Sequence, residues 1–335
     1  MFKGKTILIT GGTGFLGQSL IKYFLTQKVH SIRIFSRDEV KHYRVQQKFE
    51  DNQKLRFLIG DVRDYERVKK AMQNVDIVIH AAALKRIDMM EYNVEEVIKT
   101  DIQGSLNVAR AALECNVKKA ILVSTDKACH PITTYGACKF VAERIFTEMN
   151  YNKGSAKTIF TTVRYGNVLN STGSVIPFFK SRIKSGKTIP LTDPNMTRFI
   201  ITDEEAVQLI VEAIQYGVGG EVFIPQLPAF KINDLIEIMK EKYNSKVKIQ
   251  VIGIRVNEKY HELMINKSEM SHVYKYRNVF VIRSPLIDKY QPKASRPIYV
   301  SDGIKVNDNV FEEYCSKDVV VHDRKKLAKI LEGII

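Results

Sequence analysis

The sequence predicts an α/β protein with a doubly wound, Rossmann-like parallel sheet and a smaller α+β lobe built from later insertions. Short apolar strands alternate with periodic helices through the first half of the chain, which is typical of a parallel sheet covered on both faces. A glycine-rich turn joins the first strand to the first helix. After about residue 168 proline and glycine become frequent, which indicates a change of architecture.

Composition limits the classes of function. The chain has 335 residues, enough for one large domain or two modest ones. It has no apolar run of about 18 residues and no signal-peptide pattern at its N-terminus, so we expect no membrane partner. Its four cysteines lack the spacing of a metal site or disulfide framework, which predicts reduced thiols, no metal and a cytoplasmic protein.

The net charge of +15 leaves two interpretations open. One is nucleic-acid binding. The other is a basic surface with a pocket for anionic small molecules. The basic residues are spread over the chain without a long block, so we favour the second interpretation and expect no nucleic-acid partner.

The glycine-rich turn lies between an apolar strand, residues 6–10, and a periodic helix that begins near residue 18. Glycines in that place permit a tight turn and close approach of the backbone to a pyrophosphate at the helix N-terminus. The spacing is Gly11-x-x-Gly14-x-x-Gly17, and Gln18 stands where a P-loop requires lysine. The turn therefore predicts dinucleotide binding and argues against nucleoside triphosphate hydrolysis.

The end of the second strand bears on the choice of dinucleotide. NAD sites usually place an acidic residue about 20 residues past the glycines. Here Ser36 and Arg37 occupy that place, and a hydroxyl beside a guanidinium suits a 2′-phosphate. NADP is therefore favoured, and Asp38 keeps NAD as the alternative. After the third strand, a carboxylate such as Asp61 can accept the adenine amino group, whereas Asp64 can equally cap the next helix.

A further polar cluster follows the apolar run at residues 120–123. It contains Thr125, Asp126 and Lys127, and the pair Tyr135 and Lys139 shares one helix face at i, i+4. A nearby lysine cation lowers the pKa of a phenol, so this tyrosine could serve as a base. The alternatives are an ordinary helix surface for the tyrosine and lysine, and a solvated turn for the two charges before them.

Together these motifs resemble one family, the extended short-chain dehydrogenases/reductases. Within it the chain is most similar to the UDP-N-acetylglucosamine 4,6-dehydratases of the soluble, carbon-5-inverting kind. The resemblance covers about the first 264 residues. The matching segments are Ser36–Glu39, Gly60–Asp64, His80–Lys85, Ser124–Cys129, Arg164–Val168, Gly173–Pro177, Met196–Phe199 and Gly253–Arg255.

The resemblance implies dehydration of UDP-N-acetylglucosamine to a UDP-2-acetamido-2,6-dideoxy-L-arabino-hexos-4-ulose, through transient hydride transfer to NADP⁺, for deoxy-aminosugar biosynthesis. Tyr135, helped by Lys139, would take the proton of the 4-hydroxyl, and Thr125 would bond the 4-oxygen. Lys127 would remove the proton on carbon 5 while Asp126 protonates the leaving 6-hydroxyl. These roles need a neutral lysine and a protonated aspartate, the reverse of an ordinary ion pair.

The resemblance also implies binding residues. The cofactor would contact Gly11, Thr13, Gly14, Phe15, Leu16, Gly17, Ser36, Arg37, Asp61, Val62, Ala81, Ala82, Ala83, Lys85, Tyr135 and Lys139. The UDP group would contact Asn167, Arg198, Arg255 and Glu258, with Lys85 near cofactor or substrate. Four positions depart from the family pattern. Asn257 replaces a glycine, Asp101 stands where asparagine is usual, and His130 and Cys138 differ from the commonest residues.

The expected division assigns residues 1–168 and 200–225 to an NADP-binding Rossmann domain, and residues 169–199 and 226–335 to a substrate-binding lobe. Glu221–Ile224 is expected to be the last strand of the sheet, and the chain from about Lys267 has no readable pattern. The family usually forms dimers or larger assemblies, so we expect a homo-oligomer. A C5-retaining dehydratase, a C4 epimerase and a non-catalytic NADP-binding regulator remain as alternatives.

Overall fold

The structure is a computed structural model that describes residues 1–169, 174–290, 297–306, 312–332 and 334–335. Gly173, at the start of one matching segment, lies outside these ranges. The first half contains β1 (Thr6–Thr10), α1 (Phe15–Leu25), β2 (Ser31–Ser36), α2 (Glu39–Lys48), β3 (Leu55–Ile59), α3 (Tyr65–Met72), β4 (Ile77–His80), α4 (Ile87–Met90), α5 (Val94–Val97), a π-helical segment (Ile98–Gln103), α6 (Gly104–Glu114), β5 (Lys119–Thr125), a 3₁₀ turn (Asp126–Ala128), α7 (Thr134–Glu148) and β6 (Ile159–Tyr165).

The second half is described in shorter elements. They are α8 (Val175–Lys184), β7 (Ile189–Leu191), β8 (Thr197–Phe199), α9 (Asp203–Tyr216), β9 (Val222–Pro225), β10 (Ala229–Lys231), α10 (Ile232–Lys242), β11 (Ile249–Val251), β12 (Leu263–Ile265), α11 (Lys267–Met270), β13 (Val273–Tyr276), β14 (Val279–Ile282), α12 (Pro285–Tyr290), α13 (Ile298–Ser301), β15 (Ile304–Lys305), β16 (Tyr314–Cys315), a 3₁₀ turn (Ser316–Val319) and α14 (Arg324–Leu331).

The central sheet has ten strands in the order β15-β13-β14-β9-β6-β5-β4-β1-β2-β3. The seven strands from β9 to β3 in this order are parallel to one another. Helical crossovers join the strands that follow one another in the chain, as parallel pairing requires. The order 3-2-1-4-5-6 is that of dinucleotide-binding sheets. The predicted doubly wound fold is therefore confirmed.

The sheet does not end at β9, and here the sequence interpretation was wrong. Strand β14 pairs antiparallel with all four residues of β9, and β13 and β15 follow it. The strand pair β13–β14 turns at Arg277, which has φ of +52°. Two short runs rich in valine and aromatic residues, separated by Arg277 and Asn278, are a hairpin pattern that could have been found. Part of the region assigned to the lobe therefore belongs to the central sheet.

Buried apolar side chains form three main clusters. One lies where α1 and α9 cover one face of the sheet, with Phe24 and Ile210 in its interior. A second lies under α3, α6 and α7 on the other face. A third is built by α8, α10 and α14, and forms the core of the smaller lobe. Among the helices of the described ranges, none has the length and apolarity to cross a membrane.

Candidate active site

A cleft of about 470 Å³ opens where β1, β2, β4 and β5 end. Doubly wound sheets bind ligands at this edge, outside the carboxyl ends of the strands. Every residue that the sequence assigned to the cofactor lines this cleft, and so do Thr125, Lys127 and Asn167. The structure thus brings together three motifs that are far apart in the chain.

The glycine turn fits a closely approaching pyrophosphate. Gly11 has φ of +67°, and a Cβ atom there would lie 2.9 Å from the Cα atom of Ala82. A Cβ atom at Gly17 would collide with the backbone of Gly12. Gly14 is the N-cap of α1 and offers no side-chain cap, so the amide groups of the first helical turn remain available to an anion.

The end of β2 forms a hydroxyl cluster. The Ser36 hydroxyl lies 2.9 Å from the hydroxyl of Thr13 and 2.9 Å from Nε2 of His42. His42 is buried, and its burial lowers the pKa of the imidazole. These contacts fix the Ser36 side chain at the wall of the cleft.

Two cationic side chains, and a carboxylate that caps a helix, lie beside that hydroxyl cluster. Arg37 and Lys41 both line the cleft, and Arg37 lies 3.7 Å from Asp61. Asp38 caps α2 by accepting a hydrogen bond from the backbone amide of Lys41, and its carboxylate lies 3.5 Å from the Lys41 amine. Lys41 was not identified from the sequence, although it lies one helical turn after Arg37. Asp64 caps α3, as the sequence analysis allowed.

Helix α7 positions the tyrosine and lysine. Thr133 caps the helix by accepting a hydrogen bond from the amide of Gly136. Tyr135 therefore lies in the first turn and Lys139 one turn later. The Lys139 amine is buried and donates to the carbonyl of Val123 at 2.8 Å, so α7 is fastened to β5.

The electrostatics of the phenol differ from expectation. Burial, followed by the charges of Asp101 and Asp126, raises the pKa of Tyr135. Burial lowers the pKa of Lys139. The sequence predicted that the lysine cation would lower the pKa of the phenol, whereas burial and the two nearby carboxylates raise it.

Asp101 occupies an unusual backbone. It lies in the π-helical segment, a form that is often found at functional sites. Its Oδ1 atom accepts a hydrogen bond from the amide of Leu84 at 2.9 Å, and its buried Oδ2 atom has no hydrogen-bond partner among the described residues. Burial raises the pKa of this carboxyl group.

Asp126 and Lys127 form a buried ion pair. The Lys127 amine lies 3.0 Å from Oδ1 of Asp126, which is 1% exposed, and it donates to the amide oxygen of Asn167 at 3.3 Å. Thr125 donates to the same Oδ1 atom at 2.9 Å. Burial alone would lower the pKa of Lys127, but the carboxylates of Asp126 and Glu262 outweigh it and the pKa is raised. The amine of Lys127 is therefore held in its ammonium form at rest.

Glu262 was not identified from the sequence. It lies directly before β12, its side chain is buried, and its Oε1 atom lies 3.7 Å from the Lys127 amine and 3.5 Å from Nε of Arg198. Arg198 in turn donates to Glu258 at 3.3 Å. Only the pairing of chain segments distant in sequence places these groups together, so no local pattern could have revealed Glu262.

A second cavity of about 210 Å³ adjoins the cleft. It is lined by Lys85, Asn167 and Arg198 from the predicted set, and by Arg86 and Phe230, which the sequence reasoning missed. Arg255 is not brought there, because it lies exposed in the loop that follows β11. Arg255 lines neither of the two cavities.

The site offers no grouping suited to a metal. Within the described ranges, no three histidine, cysteine, aspartate or glutamate side chains are arranged to hold an ion. The four cysteines are unpaired, and burial raises the pKa of Cys129 to about 12.

Comparison with known proteins gives the family. A family model described as polysaccharide biosynthesis protein matches residues 7–284. The chain belongs to this family. The match covers the whole cleft, from the glycine turn to Glu262.

Individual relatives narrow the comparison. The UDP-N-acetylglucosamine 4,6-dehydratase (inverting) of Campylobacter jejuni is 45% identical over 86% of this chain and 85% of that protein. A UDP-glucose 4-epimerase of Rickettsia bellii is 41% identical over 84% of both chains. The X-ray structure of Pen from Bacillus thuringiensis matches with a TM-score of 0.91 at 37% identity, over 99% of this chain and 98% of that one. This member of the polysaccharide biosynthesis protein family thus has relatives named for two different reactions on UDP-sugars.

Proposed function

We propose that this chain is an enzyme, a UDP-N-acetylglucosamine 4,6-dehydratase that inverts carbon 5. The observation that carries the proposal is the buried Asp126–Lys127 pair that follows β5, whose lysine lines the same cleft as Tyr135. Epimerisation at carbon 4 requires acid–base chemistry at one hydroxyl only. Elimination of water across carbons 5 and 6 requires a second base and a second acid, and this pair supplies both.

The charge state of the pair suggests how it works. Elimination begins from a neutral Lys127 and a protonated Asp126, which differ from the observed ion pair by one proton moved across 3.0 Å. No proton from solvent is needed for that exchange. Lys127 then takes the proton from carbon 5, Asp126 gives its proton to the 6-hydroxyl, and water leaves. The ion pair is restored as the elimination ends, and carbon 5 is reprotonated from the opposite face.

Tyr135 prepares the sugar for that elimination. It removes the proton of the 4-hydroxyl, while Thr125, beside it at the end of β5, bonds the 4-oxygen. NADP, when bound, supplies the acceptor and later the donor of the hydride that leaves carbon 4 and returns to carbon 6. The ketone at carbon 4 acidifies the proton on carbon 5. The cation of Lys139 and the oxidised cofactor both favour the phenolate, which offsets the effect of the nearby carboxylates.

We assign NADP as the cofactor on the geometry at the end of β2. Arg37 and Lys41 present two cations to the cleft, and Ser36 presents a hydroxyl. The carboxylate of Asp38, which could bind a ribose hydroxyl in NAD, is engaged as the cap of α2. The residues present therefore fit a 2′-phosphate better than a free 2′-hydroxyl.

Replacing Arg37 by alanine tests this assignment. We expect the dissociation constant for NADPH to rise about tenfold or more, because a charge-assisted contact to phosphate is lost, and that for NADH to stay unchanged. Fluorescence titration of both cofactors measures the difference. Arg44→Ala on the exposed face of α2 is the matched control. Equal losses for the two cofactors in Arg37→Ala would argue that this arginine does not contact a 2′-phosphate.

The UDP group fits the second cavity. Lys85, Arg86 and Arg198 supply positive charge for the diphosphate, and Phe230 supplies an aromatic wall. Glu258 holds Arg198 from the side. Arg255 joins this set only if its loop folds inward when the substrate binds.

The remaining expectations form part of the same proposal. The parallel strands form the NADP-binding part, and the cluster around α8, α10 and α14 forms the substrate-binding lobe. We further propose a cytoplasmic homo-oligomer without a nucleic-acid or membrane partner.

The deciding experiment is a product analysis. Purified protein incubated with NADP⁺ and UDP-N-acetylglucosamine should form a 4-keto-6-deoxy sugar nucleotide. NMR spectroscopy monitors the formation of this product. In deuterated water the product should carry deuterium on carbon 5, and its proton couplings should show the L-arabino configuration. Recovery of unchanged substrate would reject the dehydratase, and a carbon-4 epimer without deuterium on carbon 5 would establish the epimerase that the Rickettsia relatives favour. A D-configured product would establish a retaining dehydratase.

A further inference from the structure

Glu262 joins two parts of the site that the proposed function treats separately. Its Oε1 atom lies between the Lys127 amine, at 3.7 Å, and Nε of Arg198, at 3.5 Å. One of these neighbours carries the acid–base chemistry and the other faces the diphosphate cavity. The carboxylate belongs to neither β5 nor β8, and reaches both from the segment that leads into β12.

The backbone holds Glu262 firmly. Its backbone amide donates to the hydroxyl of Ser316 at 2.9 Å, and its backbone carbonyl accepts a hydrogen bond from the Ser316 amide at 2.8 Å. The residue is 4% exposed. Its second carboxylate oxygen, Oε2, is buried and has no hydrogen-bond partner among the described residues. Burying a carboxylate with one unpaired oxygen lowers the free energy of unfolding, so we expect this carboxylate to have a functional role.

We propose that Glu262 is a positioning residue that helps the Asp126–Lys127 pair keep the single proton that the elimination uses, so that the pair stays active at higher pH. The proposal rests on the proposed function. The pair holds one proton in total, on Lys127 at rest and on Asp126 when the elimination begins, and a fixed carboxylate beside Lys127 opposes the loss of that proton to solvent.

The charged groups that face Lys127 support this direction. They are Asp126, Glu262 and Arg198. Asp126 shares the proton with Lys127, so Glu262 is the carboxylate among these three that acts on the pair from outside it. Arg198 opposes Glu262 from the other side, and Glu258 partly offsets Arg198. Glu262 therefore favours the protonated pair over the pair that has lost its proton.

The test is Glu262→Gln, which keeps the shape and removes the charge. We expect the basic limb in the pH profile of carbon-5 deuterium exchange to move down by about one pH unit. Glu258→Gln is the matched control, since it removes a carboxylate from Arg198 but not from Lys127. It should raise the substrate KM and leave the pH limb in place.

The outcomes separate the inference from the proposed function. If the wild-type protein forms no 4-keto product, the proposed function fails. If it does, and the pH limb of Glu262→Gln coincides with that of the wild type, the positioning role is rejected. Should Glu262→Gln fail to fold, as judged by circular dichroism, Glu262→Asp withdraws the charge by one methylene and should shift the limb in the same direction by a smaller amount. An unmoved limb in Glu262→Asp would then reject the proposal.

Discussion

Replacing Lys127 by methionine is expected to lower the rate of 4-keto-6-deoxy product formation by about 10³-fold, since general-base catalysis contributes about 10² to 10⁴. Methionine retains much of the length of the side chain and cannot take the proton from carbon 5. Oxidation at carbon 4 does not use Lys127, so reduced nicotinamide should accumulate on the protein when substrate is added. The absorbance of the reduced nicotinamide measures the oxidation at carbon 4, and the NMR signal of the product measures the completed dehydration.

Controls distinguish a lost base from a damaged site. Lys3→Met alters an exposed lysine near the N-terminus and should leave product formation unchanged. Lys127→Met leaves Asp126 buried without its cation, so UDP binding and circular dichroism must show that the variant is folded. Product formation at the wild-type rate by a folded Lys127→Met protein would refute the assignment of the base. Loss of cofactor reduction together with product would place Lys127 in an earlier step.

Replacing Arg164 by methionine is expected to lower the free energy of unfolding by about 3–5 kcal/mol. Arg164 is completely buried, and its Nη2 atom lies 2.6 Å from Glu143 on α7 and 2.9 Å from Glu269 on α11. It also donates to the carbonyl of Met264 at 2.7 Å. Methionine would leave two carboxylates buried without their shared cation. Urea denaturation monitored by circular dichroism measures the change.

The matched control is an exposed pair of the same kind. Lys267 lies 3.5 Å from Glu312 with both side chains largely in solvent. Lys267→Met should therefore change the free energy of unfolding by less than about 1 kcal/mol. A second comparison adds Glu143→Leu to Arg164→Met, which removes one stranded carboxylate and should recover part of the loss. Equal stabilities for Arg164→Met and Lys267→Met would show that the buried network contributes little.

The sequence predicted the parallel half of the fold because its signals are local. Each strand from β1 to β6 is a short run rich in apolar or β-branched residues, and the glycine turn fixes the first crossover. The antiparallel extension by β14, β13 and β15 was missed, since its strands have two to four residues and their pairing with β9 depends on tertiary contacts. These three strands lie beyond residue 226, in the part of the chain that the sequence assigned to the lobe.

The same difference between local signals and tertiary contacts applies to the residues of the site. Residues such as Gly11, Tyr135 and Lys127 were singled out because each lies in a local motif, and the resemblance to a family gave the motifs their expected roles. Glu262 was missed because a single glutamate before a short strand carries no pattern until the fold sets it beside Lys127. The charge states could not be derived from sequence either, since the raised pKa of Tyr135 depends on burial and on carboxylates from other segments.

The antiparallel extension has a consequence for how the molecule can be divided. A chain cut after Pro225 would retain the glycine turn and Tyr135, yet it would lose β14, which covers β9 along its whole length. The four residues of β9 are all buried, so the cut would expose an apolar strand with unpaired amides and carbonyls. Such an edge recruits other strands and leads to aggregation. The nucleotide-binding half is therefore not an autonomous folding unit, and fusions or truncations should keep residues 1–282 together.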